Sequence, residues 1–173
     1  MRATPGAANR TLSVLSKMCT LAETWGLRDP GTNPVRGIER YRERSRQRFL
    51  SAQDVSRLGQ VLAEAEAQRI ESPSVLALIR LLLYTGARLG EILALRWDWI
   101  DWSRSLVRLP ESKTGEKWLY LPPPAVALLQ GLPRQEGHPY VLPGRVQGQP
   151  VVNPQKPWRR LRAAAGLQGC ASA

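Results

Sequence analysis

The stretch from Ser72 to Gly86 constrains the fold more than any other part of the sequence. Residues 75–84 are apolar nearly all round a helical wheel, whereas a surface helix keeps one polar face. Ser72-Pro73 is typical of a helix start and Gly86 of a helix stop. Such a helix has to be covered on every side, so the sequence predicts a folded domain built around it.

Local signals predict the elements that cover this helix. Ser51-Ala52-Gln53-Asp54 forms a capping box, which opens a helix. Two β-type runs bracket a polar tip that contains Gly115, which predicts a hairpin. The helix that the capping box opens is predicted to have an apolar face made of Val55, Leu58, Val61 and Leu62. Further helices are predicted at 88–96, 122–129 and 154–165, and an extended segment at 140–144. The predicted fold class is α+β, mainly α-helical, with a small antiparallel β-hairpin or sheet.

The N-terminal third of the chain predicts a separate unit. Residues 9–25 read as one amphipathic helix with Leu12, Leu15 and Trp25 on its apolar stripe. A single helix cannot bury its own stripe, so we expect residues 1–35 to be the last helix of a truncated helical domain. Residues 36–48 are predicted to be a linker, and residues 49–173 a second domain.

The charge of the chain favours a polyanionic partner. The formal net charge is +11, with about +6 in residues 1–50, +1 in residues 51–150 and +4 in residues 151–173. A nearly neutral centre with basic flanks suits a folded core whose arms grip nucleic acid. The linker repeats arginine at every second position, which fits a strap along a DNA backbone or, alternatively, a solvated connector. The residues predicted to contact DNA are Arg42, Arg44, Arg46, Arg48, Lys117, Arg159 and Arg160.

Other classes of function receive no support from the sequence. No apolar run approaches the ~20 residues that span a membrane, and the first ten residues lack the apolar core of a secretory signal. Cys19 and Cys170 fit no metal or redox spacing, which favours free thiols in a reducing cytoplasm. We therefore expect no membrane association, no metal, no cofactor and no small-molecule substrate.

Arg88, Glu91 and Lys113 are the candidate site residues. Arg88 follows a glycine break and opens a helix, so its guanidinium can face outward and bind a phosphate through two parallel hydrogen bonds. Glu91 lies three residues on, where it can brace the arginine. Lys113, near the hairpin tip, can enter a groove and deliver a proton. Each residue alone would more often be an ordinary surface side chain; the combination and its spacing favour phosphoryl transfer.

The order of these motifs resembles the tyrosine recombinase (phage integrase) family. The segments that carry the resemblance are Phe49-Leu50-Ser51, Thr85-Gly86-Ala87-Arg88 with Glu91, Leu95-Arg96-Trp97-Asp98-Trp99-Ile100-Asp101, Lys113-Thr114-Gly115, Leu119-Tyr120-Leu121-Pro122, Val141-Leu142-Pro143 and Trp158-Arg159-Arg160-Leu161. The resemblance implies an integrase-type DNA breaking-rejoining catalytic domain over residues 49–173, preceded by the end of the family's core-binding (SAM-like) domain.

The resemblance also implies roles for the candidate residues. Arg88 matches the first catalytic arginine, which neutralises the scissile phosphate, and Lys113 matches the hairpin lysine, which protonates the leaving 5′-hydroxyl. Glu91 matches an acidic position that supports the site. The family cleaves double-stranded DNA without a metal through a 3′-phosphotyrosyl link, and four identical protomers assemble on two duplexes during integration or recombination of mobile elements.

The C-terminal end departs from the family pattern. After Leu167 the family continues with His-x-x-Arg and then the nucleophilic tyrosine, whereas this sequence reads Gln168-Gly169-Cys170-Ala171-Ser172-Ala173. The single histidine, His138, precedes a proline, and no tyrosine follows Tyr140. We therefore expect a catalytic domain truncated at its C-terminus, inactive as written and prone to aggregate. The alternatives are a non-catalytic DNA-binding remnant of an integrase and a basic protein with coincidental motifs.

Overall fold

The chain divides into two compact units, residues 1–47 and residues 48–173. A computed structural model describes residues 4–43, 49–112 and 115–167. Within these ranges no helix combines the length and the apolar character needed to cross a membrane. The described elements are mostly helices, with one small antiparallel sheet.

Helix α1 (Pro5–Thr24) dominates the first unit. It starts four residues before the predicted boundary because Pro5 occupies the first turn, where its fixed φ suits a helix and its missing N–H costs nothing. The predicted apolar stripe is largely solvent-exposed within this unit, since Leu15, Met18 and Trp25 keep 43%, 60% and 66% of their surface. The helix therefore carries an apolar face that its own unit leaves uncovered.

A buried asparagine fixes the path of the chain after α1. The Asn9 amide nitrogen donates to the carbonyl oxygen of Tyr41 at 2.8 Å and to Oε1 of Glu43 at 2.7 Å. The Tyr41 backbone N–H in turn donates to Oδ1 of Asn9 at 3.0 Å. The predicted linker is thus pinned to α1 as far as Glu43, which a freely solvated connector would not be.

Helix α2 (Ala52–Ala67) opens the second unit with the predicted capping box. The Asp54 backbone N–H donates to the Ser51 hydroxyl, and the Ser51 backbone N–H donates to the Asp54 carboxylate, each at 3.1 Å. Leu58 and Leu62 are fully buried as predicted. The prediction was wrong for Val55, which remains 45% exposed because the core lies on the side of the helix that Leu58 and Leu62 occupy.

We predict that Ser51→Ala lowers the free energy of unfolding of the second unit by about 1 kcal/mol. The alanine removes the acceptor for the Asp54 backbone N–H at the start of α2 and leaves only the Asp54 half of the capping box. Urea unfolding followed by tryptophan fluorescence measures the change. Ser74→Ala, on the next helix but outside its cap position, is the matched control; an equal loss in both variants would contradict the prediction.

Helix α3 (Pro73–Thr85) is the buried helix that the sequence predicted. Its first half is enclosed, with Leu76 and Leu78 almost without exposed surface, while Leu83 and Tyr84 near its end remain about 40% exposed. Gly86 ends it in the left-handed conformation at φ +62°, which glycine adopts without strain. The expectation of burial is therefore confirmed for the first half and wrong for the last turn.

Helix α4 (Leu89–Leu93) is shorter than the predicted helix at 88–96. The chain leaves the helix because its next backbone groups pair elsewhere: the Val141 N–H donates to the Leu95 carbonyl at 2.9 Å, and the Trp97 N–H to the Pro139 carbonyl at 3.1 Å. These bonds give the predicted extended segment at 140–144 a partner. A 3-10 turn (Trp97–Trp99) follows α4.

The sheet contains the predicted hairpin and one strand that the sequence did not predict. Strands β1 (Ile100–Asp101), β2 (Leu106–Ser112) and β3 (Gly115–Tyr120) are antiparallel in the order β1-β2-β3. Val107 pairs with Leu119, and Leu109 with Lys117. The apolar members of these pairs are buried, so this face of the hairpin closes one side of the core.

Two further helices complete the core. Helix α5 (Pro123–Gly131) buries Leu129, and helix α6 (Gln155–Ala164) buries Leu161, close to the predicted ranges. Mainly helical structure with a small antiparallel sheet confirms the predicted fold class. Near Leu83 the surface opens into an apolar groove of about 190 Å³. The groove is lined by Leu50, Leu78, Ile79, Leu82, Leu83, Leu89, Pro154, Gln155 and Trp158.

Candidate functional site

Arg88 stands at the turn between the buried helix α3 and the start of α4. It is the N-cap residue of α4, with an extended backbone conformation, and follows the left-handed Gly86 by two residues. The Thr85 hydroxyl donates to the Leu81 carbonyl at 2.6 Å and accepts from the Ala87 N–H at 3.3 Å. The backbone that carries Arg88 is thus held by hydrogen bonds on the side of α3, while 54% of the Arg88 side chain stays exposed.

Glu91 braces Arg88 in the way that their spacing predicted. Its carboxylate accepts the Arg88 backbone N–H at 2.9 Å on Oε2 and the Arg88 Nη1 at 3.1 Å on Oε1. The Glu91 side chain is only 6% exposed. A carboxylate that is buried and hydrogen-bonded at both oxygens restricts the orientation of the arginine beside it.

Lys117 binds the same carboxylate from the hairpin, a contact that sequence reasoning missed. Its Nζ lies 3.1 Å from Oε2 and 3.3 Å from Oε1 of Glu91, across 26 residues of sequence. Alternation along β3 puts Lys117 on the same face as the buried Leu119, so its side chain points towards the core rather than away from it. That alternation is the signal from which the contact could be predicted, whereas Lys117 is predicted from the sequence only as a DNA contact.

The environment of Glu91 keeps its carboxylate charged. Burial raises the pKa of Glu91. The hydrogen bonds from the Arg88 backbone and from Lys117, together with the charges of both residues, lower the pKa by a larger amount, so that it lies below its ordinary value. At neutral pH the cluster therefore holds one anion between two cations. Its net positive charge, and a half-exposed guanidinium, equip it to bind a phosphate.

The remaining predicted residues do not join this cluster in the described contacts. Arg159 is exposed on α6, and Arg42 is exposed in the first unit. Arg160 makes an ion pair at 2.6 Å with Glu71, whose side chain is 6% exposed. Lys113, Arg44, Arg46 and Arg48 lie outside the described residues. Over residues 4–43, 49–112 and 115–167, no three His, Cys, Asp or Glu side chains are grouped to hold a metal ion.

The fold is similar to that of solved integrases. The structure of lambda integrase (75–356), a dimer bound to a COC' core site, matches with a TM-score of 0.70 and 21% identity over 95% of this chain and 60% of that one. The Tn1549 transposon integrase (82–397), in complex with circular intermediate DNA, matches with a TM-score of 0.68 and 14% identity over 99% and 62%. Both matches show that this chain shares the fold of the solved integrases.

Sequence comparison identifies the family. The sequence profile of the phage integrase family matches residues 48–172, and the chain belongs to that family. The shufflon-specific DNA recombinase of Escherichia coli is 34% identical over 106 residues, which are 60% of this chain and 26% of that protein. The chain thus spans about a quarter of the length of this relative and about three fifths of the two solved integrases.

Proposed function

We propose that the second unit supplies the phosphate-neutralising part of a site for DNA strand cleavage and rejoining in site-specific recombination. The observation that carries this proposal is the Arg88 guanidinium, half exposed and oriented by a buried carboxylate that Lys117 also binds. Phosphoryl transfer requires cations fixed against the non-bridging oxygens before the reaction starts. Arg88 is the proposed phosphate ligand, and Glu91 supports it.

The proton donor in this scheme is Lys113. The family resemblance assigns it to the leaving 5′-hydroxyl, and the hairpin that contains it is tied to the Arg88 turn through Lys117 and Glu91. No residue of this chain is assigned as the nucleophile. The sequence has 4 tyrosines, Tyr41, Tyr84, Tyr120 and Tyr140, and none follows a His-x-x-Arg motif.

The second candidate function is DNA binding without chemistry. It is favoured by the observation that none of the four tyrosines follows a His-x-x-Arg motif. A phosphate clamp without an assigned nucleophile binds DNA but forms no phosphotyrosyl link. A nicked suicide duplex that traps covalent intermediates distinguishes the two candidates. For the 173-residue polypeptide we expect a salt-sensitive complex and no adduct on a denaturing gel; an adduct that survives denaturation would establish the enzymatic alternative for this chain.

Arg88→Ala is expected to weaken duplex DNA binding about tenfold at low salt, the factor that corresponds to roughly 1.4 kcal/mol. The slope of log K against log salt should fall by ~0.9, because one phosphate contact is lost. Fluorescence anisotropy with a labelled duplex measures both quantities. Arg145→Ala removes the same charge from an exposed position and serves as the control. Equal effects of the two variants would remove the support for a phosphate clamp at Arg88.

Wider features of the family complete the proposal. Residues 1–35 are proposed to end a core-binding domain, residues 36–48 to link it to the catalytic domain, and residues 49–173 to form that domain. Arg42, Arg44, Arg46, Arg48, Lys117, Arg159 and Arg160 are the proposed DNA contacts. One solved relative is described as a lambda integrase tetramer bound to a Holliday junction. Assembly of four protomers on double-stranded DNA is proposed for this protein on that basis, and a bacterial nucleoid location is proposed because DNA is the expected partner.

A further inference from the structure

We infer that Lys117 is a positioning residue: its ion pair with Glu91 anchors the β2–β3 hairpin to the turn that carries Arg88. The effect of this anchor on catalysis rests on the proposed function, since the anchored hairpin is the one that contains Lys113. The anchoring of the hairpin itself does not depend on that function. Lys117 thereby acts on the phosphate site through Glu91, in addition to any contact of its own with DNA.

The geometry of the carboxylate carries the inference. Each oxygen of Glu91 accepts one hydrogen bond from Arg88 and one from Lys117: Oε1 from Nη1 at 3.1 Å and from Nζ at 3.3 Å, and Oε2 from the Arg88 backbone N–H at 2.9 Å and from Nζ at 3.1 Å. Glu91 is therefore shared equally between the helix start and the hairpin. A displacement of either partner breaks a bond on both oxygens.

The position of Lys117 along β3 makes it the last anchor before the hairpin tip. It pairs with Leu109, and the regular register of the two strands ends there, with an irregularity between Leu109 and Ser112. Leu109 and Leu119 are buried in the core, whereas Glu116 and Gly115 on the tip side of Lys117 are exposed. Among the contacts of the described residues, none on the tip side of Lys117 ties the hairpin to the core, so this ion pair is the last described link between β3 and α4.

A second ion pair on the hairpin supplies an internal comparison. Arg108 Nε donates to Glu116 Oε1 at 2.8 Å, but both side chains lie about half exposed on the opposite face. This pair connects β2 with β3 and not with α4. Arg108→Met and Lys117→Met therefore remove one positive charge each from neighbouring strands, while only the second breaks the link to Arg88.

The first test uses hydrogen exchange of the free 173-residue protein. Lys117→Met and Glu91→Gln are expected to accelerate exchange of backbone amides in residues 110–117 about tenfold, the factor that corresponds to roughly 1.4 kcal/mol. Arg108→Met should leave exchange in the turn that carries Arg88 unchanged, and Lys117→Arg should restore most of the protection because the charge is kept. Unchanged exchange in Lys117→Met would overturn the inference whether or not the protein binds DNA.

The second test is a double-mutant cycle in duplex DNA binding. If Lys117 acts through Glu91 and Arg88, Lys117→Met weakens binding in the wild-type background and adds little in the Arg88→Ala background. Additive losses would show that Lys117 only touches DNA as an independent charge, which overturns its positioning role. Faster hairpin exchange in a protein that shows no salt-sensitive DNA binding would instead overturn the proposed function and leave the anchor in place.

Discussion

Glu91→Gln is expected to lower the free energy of unfolding of the second unit by about 1.5–3 kcal/mol at pH 7, the usual range for hydrogen bonds to a charged group. Glutamine keeps the shape but replaces one acceptor oxygen with an NH2 group. Whichever oxygen is replaced, the NH2 group then faces one donor from Arg88 and one from Lys117. The loss is smaller than the ~3–5 kcal/mol of a fully buried pair because Arg88 is 54% exposed, so that water compensates part of it.

The effect of Glu91→Gln should depend on pH in a defined direction. The pKa of Glu91 is below its ordinary value of 4.5, so the folded state favours the carboxylate more than the unfolded state does. The stabilisation is then fully present above pH 4.5 and is lost as the pH falls through the lower pKa of the folded protein. The difference between the two proteins should accordingly be constant from pH 7 to about 5 and shrink below that. Asp54, Glu66 and Asp101 also have lowered pKa values, but they are common to both proteins and cancel in the difference.

Glu116→Gln is the matched control for this prediction. It removes a carboxylate that is also paired with an arginine, but its side chain is 48% exposed and it lies on the outer face of the hairpin. Exposed pairs of this kind contribute little to stability. Urea unfolding of the two variants at pH 7 and pH 4 compares them directly. Equal losses at pH 7, or a Glu91→Gln difference that grows in acid, would contradict the role assigned to the buried carboxylate.

The parts of the fold that the sequence predicts best are those determined by neighbouring residues. Ser51 and Asp54 form their capping box within four residues, and Gly86 stops α3 by its own backbone preference. The hairpin was predictable because two β-type runs flank a short polar tip. The spacing of Arg88 and Glu91 also determines their contact, since residues three apart lie on the same side of a helical turn.

The parts that could not be predicted depend on residues far apart in sequence. The end of α4 at Leu93 follows from the bond between Leu95 and Val141, which no local pattern contains. The exposure of Val55 depends on which face of α2 meets the core. The contact between Lys117 and Glu91 requires both the register of the hairpin and its position against α4. The site residue most easily misassigned was therefore the one whose partner came from another element.

Leu78→Ala is expected to cost about 2–5 kcal/mol of unfolding free energy, the largest effect of any single substitution considered for this protein. Leu78 has no exposed surface and lies in the middle of α3, on which α2, α4 and α5 pack. The alanine leaves a cavity where these elements meet α3, beside the apolar groove that Leu78 also lines. With a urea dependence of ~2 kcal/mol/M, the midpoint should fall by roughly 1–2.5 M.

Leu83→Ala is the matched control for Leu78→Ala. Leu83 is on the same helix, five residues on, but is 38% exposed at the apolar groove, so its loss should cost clearly less. We expect the chain to self-associate through the apolar groove. Because Leu83→Ala removes apolar surface from that groove, this variant should bind less of a hydrophobic dye and stay in solution at higher concentration. Equal destabilisation by the two substitutions, or unfolding of the unsubstituted chain without a cooperative transition, would show that α3 is not the packed support on which the Arg88 site is built.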